Sequence, residues 1–134
     1  MTEMHDVENE VYTRVSNAIL AEFPNVNMSG TYVKVPSAFP HVCITQQDTY
    51  NVKRYWTQNE EYDDVMFEVS IYSNKSSGKK TECKAIAREV NKIMSSMNFR
   101  RLSQVPVPNL EDASIYRIVA RYAAITDGKY FYRR

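Results

Sequence analysis

The sequence predicts an α+β domain, a mostly antiparallel or mixed sheet of four to six strands covered by two helices, with a long polar-aromatic arm. Three observations carry that prediction. Val65, Phe67, Val69 and Ile71 alternate with Met66, Glu68, Ser70 and Tyr72, the period-two pattern of a strand with one face on a core. A polar turn later, Cys83, Ile86, Ala87, Val90, Ile93, Met94 and Met97 recur at three- and four-residue steps, so they line one side of a helix. A second alternation, Tyr116, Ile118, Ala120, Tyr122 and Ala124 against Arg117 and Arg121, marks a late strand over 115–125. The order of segments is helix, strands, helix, strands, which suits a sheet with its helices on one side.

Taken from the start, Asp6 is placed to cap a first helix running to about Phe23, with Val7, Val11, Val15, Ala18, Ile19 and Phe23 as its apolar stripe. Pro24 ends that helix, because a residue before proline is pushed out of the helical region. A short strand is expected over about Met28–Val35, then a proline-bounded loop, Pro36–Pro40, then a second strand opened by Val42 and Ile44. From Gln46 to Asp63 the chain is polar yet aromatic, with no glycine or proline to fix a tight turn, and reads as an extended arm or long hairpin. After the central strand and helix, Asn98 stands where a helix C-terminus favours Asn or Gly. Pro106 and Pro108 then confine the following segment to a sheet edge or an irregular crossing. Asp127-Gly128 is a hairpin signal, which lets 129–134 pair with the late strand.

A length of 134 residues suits a single domain, 1–134, large enough to bury a core without disulfides or metal. Apolar residues make up 43% and charged residues 25%, which excludes wholesale disorder. A net charge of +1 argues against a domain whose main partner is the phosphate backbone. The N-terminus has no apolar signal region and no apolar run spans a bilayer, so the expectation is a protein made in a cytoplasm, with no membrane partner. Cys43 and Cys83 lie far apart, and Cys83 falls on the helix's apolar face, so both read as reduced core or near-core residues. Ten tyrosines and one tryptophan against three glycines is a balance that protein interfaces favour, although strands favour tyrosine too.

Candidate chemistry is sparse. The turn from Ser73 to Thr81 joins strand to helix through Gly78-Lys79, as a phosphate-binding loop does. It lacks the first glycine, where Ser73 stands, and the hydroxyl after the lysine, where Lys80 stands. It therefore reads as a polar turn that delivers lysines to solvent. His41 and Cys43 share a strand face, but without a second pair they fall short of a zinc signature. Glu60, Glu61, Asp63, Asp64 and Glu68 suggest a two-metal nuclease centre only if gathered, and four of them crowd one polar segment of the kind that is usually solvated. With no serine elbow, no HExxH and no Cys–His partnership, the sequence reads as non-enzymatic, with no catalytic, cofactor or metal residues.

The phrases Phe39-Pro-His-Val-Cys-Ile44, Glu68-Val-Ser-Ile-Tyr-Ser-Asn-Lys75, Gly78-Lys-Lys-Thr-Glu-Cys-Lys-Ala-Ile-Ala87 and Tyr116-Arg-Ile-Val-Ala-Arg-Tyr122, in this layout, resemble the tail terminator or tail-to-head joining proteins of long, non-contractile-tailed bacteriophages. The resemblance runs over most of the chain. It implies a structural virion protein forming a six-fold ring on the head-proximal end of the tail, without a cofactor, in contact with the tail tube protein and the head connector or stopper. DNA then meets it only in transit through the lumen. Another neck or head-completion protein is the nearest alternative; a small metal-dependent nuclease, or a nucleic-acid-binding module using Arg100, Arg101, Arg117 and Arg121, belongs to other classes.

For the ring reading, the candidate interface residues are Tyr50, Tyr55, Trp56, Glu60, Glu61, Tyr62 and Asp63 of the arm, with Arg100, Arg101, Arg117 and Arg121 as donors for its acidic end.

Overall fold

A computed structural model describes residues 7–33, 35–51, 63–108, 112–127 and 129–132. The elements are α1 (Glu8–Glu22), β1 (Asn27–Ser29), β2 (His41–Asn51), β3 (Asp63–Ser73), α2 (Lys79–Ser96), β4 (Arg100–Pro106), β5 (Tyr116–Thr126) and β6 (Phe131–Tyr132). They build the expected α+β architecture. A six-stranded sheet runs in the order β1-β2-β3-β5-β4, with β6 also paired to β5. β1 is parallel to β2 and every other pair is antiparallel, so the sheet is mixed.

Both helices lie on one face. Val11, Val15 and Ile19 of α1, and Cys83, Ile86, Ala87, Val90 and Met94 of α2, are buried against Val42, Ile44, Val65, Phe67, Val69 and Ile71. From β5 the same core receives Ile118, Ala120, Tyr122 and Ala124, the alternate residues read from the sequence. Of the expected strand–helix cluster, Phe67, Val69, Ile86 and Val90 are fully buried, while Ile93 packs at the margin.

α2 ends on a hydrogen-bonded cap. Asn98, with φ of 67°, takes the left-handed conformation, its N–H donates to Ser95 O (3.0 Å), and Phe99 N–H donates to Met94 O (2.9 Å). This is a Schellman closure, and the Asn98 side chain also donates to Phe131 O (3.0 Å), tying the helix end to β6. Phe99 then enters the core beside Phe67 (5.6 Å between centroids) and Phe131 (5.1 Å).

The structure departs from the expectations at four places. α1 begins at Glu8 with Val7 in the cap position, and Asp6, the expected cap, lies outside the described residues. β1 is three residues rather than eight: the Ser29 hydroxyl donates to Thr31 O (3.1 Å) and the chain leaves the sheet there. The arm is shorter than Gln46–Asp63. β2 continues to Asn51 across a register shift between Gln46 and Thr49, β3 starts at Asp63, and residues 52–62 lie outside the described residues. Finally, the side of β3 opposite the helices is not simply solvated, because Ser70 and Tyr72 are buried there and Tyr72 forms a second small core with Cys43 and Ile115.

Candidate interaction surfaces

The second small core exists because the segment after β1 folds back over the helix-free face. Ser29 Oγ meets His41 Nε2 at 2.9 Å. The Cys43 thiol donates to Thr31 O (2.8 Å), and the Tyr72 hydroxyl donates to Val33 O (2.7 Å). Arg117 completes the strap: its guanidinium lies over Tyr32 (5.5 Å) and Tyr72 (5.4 Å) and donates through Nη2 to Ser70 Oγ (3.2 Å). Burial holds the His41 imidazole below its ordinary value and pushes the Cys43 thiol and the Tyr72 phenol up, each favouring the uncharged form. These groups are structural partners of a folded loop, and His41 with Cys43, weighed above as a metal pair, is engaged within it. Among the described residues no group of three or more His, Cys, Asp or Glu side chains is gathered as a metal site would need.

The Gly-Lys turn is knitted into the fold. Gly78 caps α2 with φ of 84°, a conformation open to glycine. Ser73 donates to Glu82 Oε1 (2.6 Å), Lys75 pairs with Glu82 Oε2 (3.7 Å), and Lys79 donates to Ser114 O (3.0 Å). Lys75 and Lys80 are exposed as expected, whereas Lys79 is half-buried and holds the loop before β5. Deeper in α2, Cys83 lies under the carbonyls of Ile71 (3.7 Å) and Tyr116 (3.6 Å), and burial pushes its thiol up to about 12. Such a thiol is inert.

Of the predicted interface residues, six lie among the described residues. Tyr55, Trp56, Glu60, Glu61 and Tyr62 lie outside the described residues, and Tyr50 belongs to the last turnless stretch of β2, opposite Asp64. Asp63 is a correction: it is not part of a solvated acidic tip but is buried in β3, between Asn51 and Thr126, because the two flanking strands extend that far. Arg117 is the second correction as a donor, being held between two tyrosines. Arg121 is exposed but paired across the strands to Glu68 (3.2 Å). Glu68, proposed above for a carboxylate cluster, is therefore half of an ion pair. Arg100 and Arg101 remain, both exposed at the start of β4, with Arg101 donating to Gln104 (3.0 Å).

β4 is the sheet edge that Pro106 and Pro108 implied. Six of its seven residues are exposed, Leu102 and Val105 among them, and β5 is its only partner among the described residues. Val107 N–H donates to Arg117 O (3.0 Å), so by alternation Val105 turns its backbone groups to β5 while Gln104 and Pro106 turn theirs outward. Pro106 offers no N–H, and the register shift between Arg101 and Ser103 bends the strand. This edge is blunted against backbone pairing and must make contacts through side chains.

A groove was not visible in the sequence. Phe23, Pro24, Val26, Phe39, Pro40 and Ile86 floor a depression of about 630 Å³ where the end of α1 meets the start of α2, rimmed by Glu22, Asn25, Asn74, Lys75 and Glu82. Its lining comes from four separated stretches of chain, so no local motif announces it. The one hint in sequence was Phe23-Pro24 together with Phe39-Pro40, two aromatic–proline pairs, one leaving α1 and the other leading into β2.

No protein-family description matches the chain, and no curated protein matches it in sequence. The fold is similar to a chain from a solved structure of the virion of a native gene transfer agent particle. That likeness has a TM-score of 0.72 at 16% identity, covering 91% of this chain and 95% of the other. At that identity it speaks to the fold, and it does so from end to end.

Proposed function

We propose that this protein is a structural component of a phage-like virion, a ring-forming protein at the head-proximal end of the tail that ends tail-tube polymerisation and joins the tail to the head connector. The observation that carries the reading is the fold likeness to a virion chain, nearly complete over both chains. The resemblance of the Phe39–Ile44, Glu68–Lys75, Gly78–Ala87 and Tyr116–Tyr122 phrases to tail terminators points the same way. The groups with latent reactivity support a non-catalytic role: Cys43, His41 and Tyr72 hold the strap, and Cys83 is sealed beneath two carbonyls. A ring also needs two different patches on each subunit, and the blunted β4 edge and the groove at the helix ends belong to opposite halves of the sheet.

The test is genetic and visual. A phage or phage-like particle lacking this protein should yield filled heads and separate tails, some of them abnormally long, by negative-stain electron microscopy. Normal-length tails beside heads that leak DNA would instead move the protein to the head side of the neck.

A further inference from the structure

We infer that the heterologous contact of the proposed ring is made by β4 of one copy entering the groove between the α1 and α2 ends of the next; this rests on the ring reading above. Chemistry favours this pairing. The groove has an apolar floor, Phe23, Val26, Phe39, Pro40 and Ile86, and a rim with two carboxylates, Glu22 and Glu82, to one ammonium, Lys75. The β4 edge carries the converse, two exposed arginines, Arg100 and Arg101, beside exposed Leu102 and Val105. Glu82 is already engaged by Ser73 and Lys75, which leaves Glu22, exposed and without an ion-pair partner among the described residues, as the principal acceptor.

The backbone argument narrows the choice further. Pro106 and the irregularity after Arg101 disfavour the addition of β4 to a neighbour's sheet, so the apolar side chains it exposes are better served by a pocket than by another strand. Position fits as well. The groove is built where Val26 precedes β1 and Pro40 precedes β2, whereas β4 closes the opposite edge, with β3 and β5 between them. Two unlike patches on opposite flanks give head-to-tail contacts, which close into a ring when the angle between them allows.

The test uses the whole chain. Arg100→Glu with Arg101→Glu should lower the yield of rings on the order of tenfold or more, by sedimentation and negative stain, while the melting of the dissociated subunit stays unchanged, since both positions are exposed. Glu22→Arg placed in the same chain should recover rings. Loss of rings without recovery by Glu22→Arg would overturn the groove as the partner of β4. Rings as abundant as wild type in the double variant would overturn this inference and leave the ring reading standing. A wild-type chain that forms no ring, alone or with tail tubes, would overturn both. Should the double Glu variant fail to fold, Arg100→Ser with Arg101→Ser carries the same test.

Discussion

Phe99 is where the helix end, the sheet and the C-terminal strand are joined, and replacing it gives the sharpest test of the fold. Its side chain is fully buried, edge-on to Phe67 at 5.6 Å and tilted against Phe131 at 5.1 Å. Its backbone N–H closes the α2 cap on Met94. Phe99→Ala removes the ring and leaves the cap, so the expected cost is that of a large-to-small core change, about 3–5 kcal/mol. Phe99→Leu keeps most of the apolar volume and loses two aromatic contacts, each about 0.5–1.5 kcal/mol, so the expected cost is about 1–3 kcal/mol. For a chain of this size 1 kcal/mol moves Tm by roughly 3–5 °C, which puts the Ala variant roughly 10–25 °C below wild type. Urea titration followed by far-UV circular dichroism separates the two, since both should shift the midpoint without changing the slope. An Ala variant within about 0.5 kcal/mol of wild type would refute the placement of Phe99 in the core.

Other consequences follow from the strap and the caps. Burial holds the His41 imidazole below its ordinary value near 6.5, so the unfolded chain binds this proton more readily than the folded one. Stability from His41 should therefore be complete above about pH 6.5 and fall as pH drops from there toward the depressed folded value, and His41→Asn should flatten that part of a stability–pH curve. Arg117→Met keeps the stem and removes the guanidinium from between Tyr32 and Tyr72; it should cost about 1–2 kcal/mol and speed hydrogen exchange at Thr31–Val33, with no change at α2. Asn98→Ala loses both the left-handed preference and the bond to Phe131 O, and should lower stability by about 1–2 kcal/mol in a thermal melt, whereas Asn98→Gly should lose about half of that.

How much of this was legible in the sequence depends on whether the determinant is local. The β3 and β5 alternations and the α2 stripe are periodic over eight or more residues, and they gave the right faces for Val69, Ile86 and Ala120 and the right company for Val69 and Ile86. Asn98 and the Pro106-Pro108 pair act within a few residues, and both the cap and the edge followed from them. The ends of β2 and β3 did not, because Gln46–Asn51 is polar and its strand state comes from pairing with Asp63–Phe67 across the register, not from any preference of its own. Arg117 looked like a free surface cation by alternation, yet its partners lie far away in sequence: Ser70 meets it through β3–β5 pairing, and Tyr32 only once the segment after β1 folds back. The groove was invisible for the same reason: its lining is assembled by tertiary structure from the end of α1, the segments that lead into β1 and β2, the turn after β3, and α2.

The measurement that bears most directly on the account is the length of tails in particles made without this protein. A protein that ends tail-tube polymerisation leaves tubes of variable and excessive length, detached from filled heads, and supplying the wild-type chain in trans should restore joined particles with tails of one length. Tails of normal length in its absence, still attached to their heads, would contradict the account.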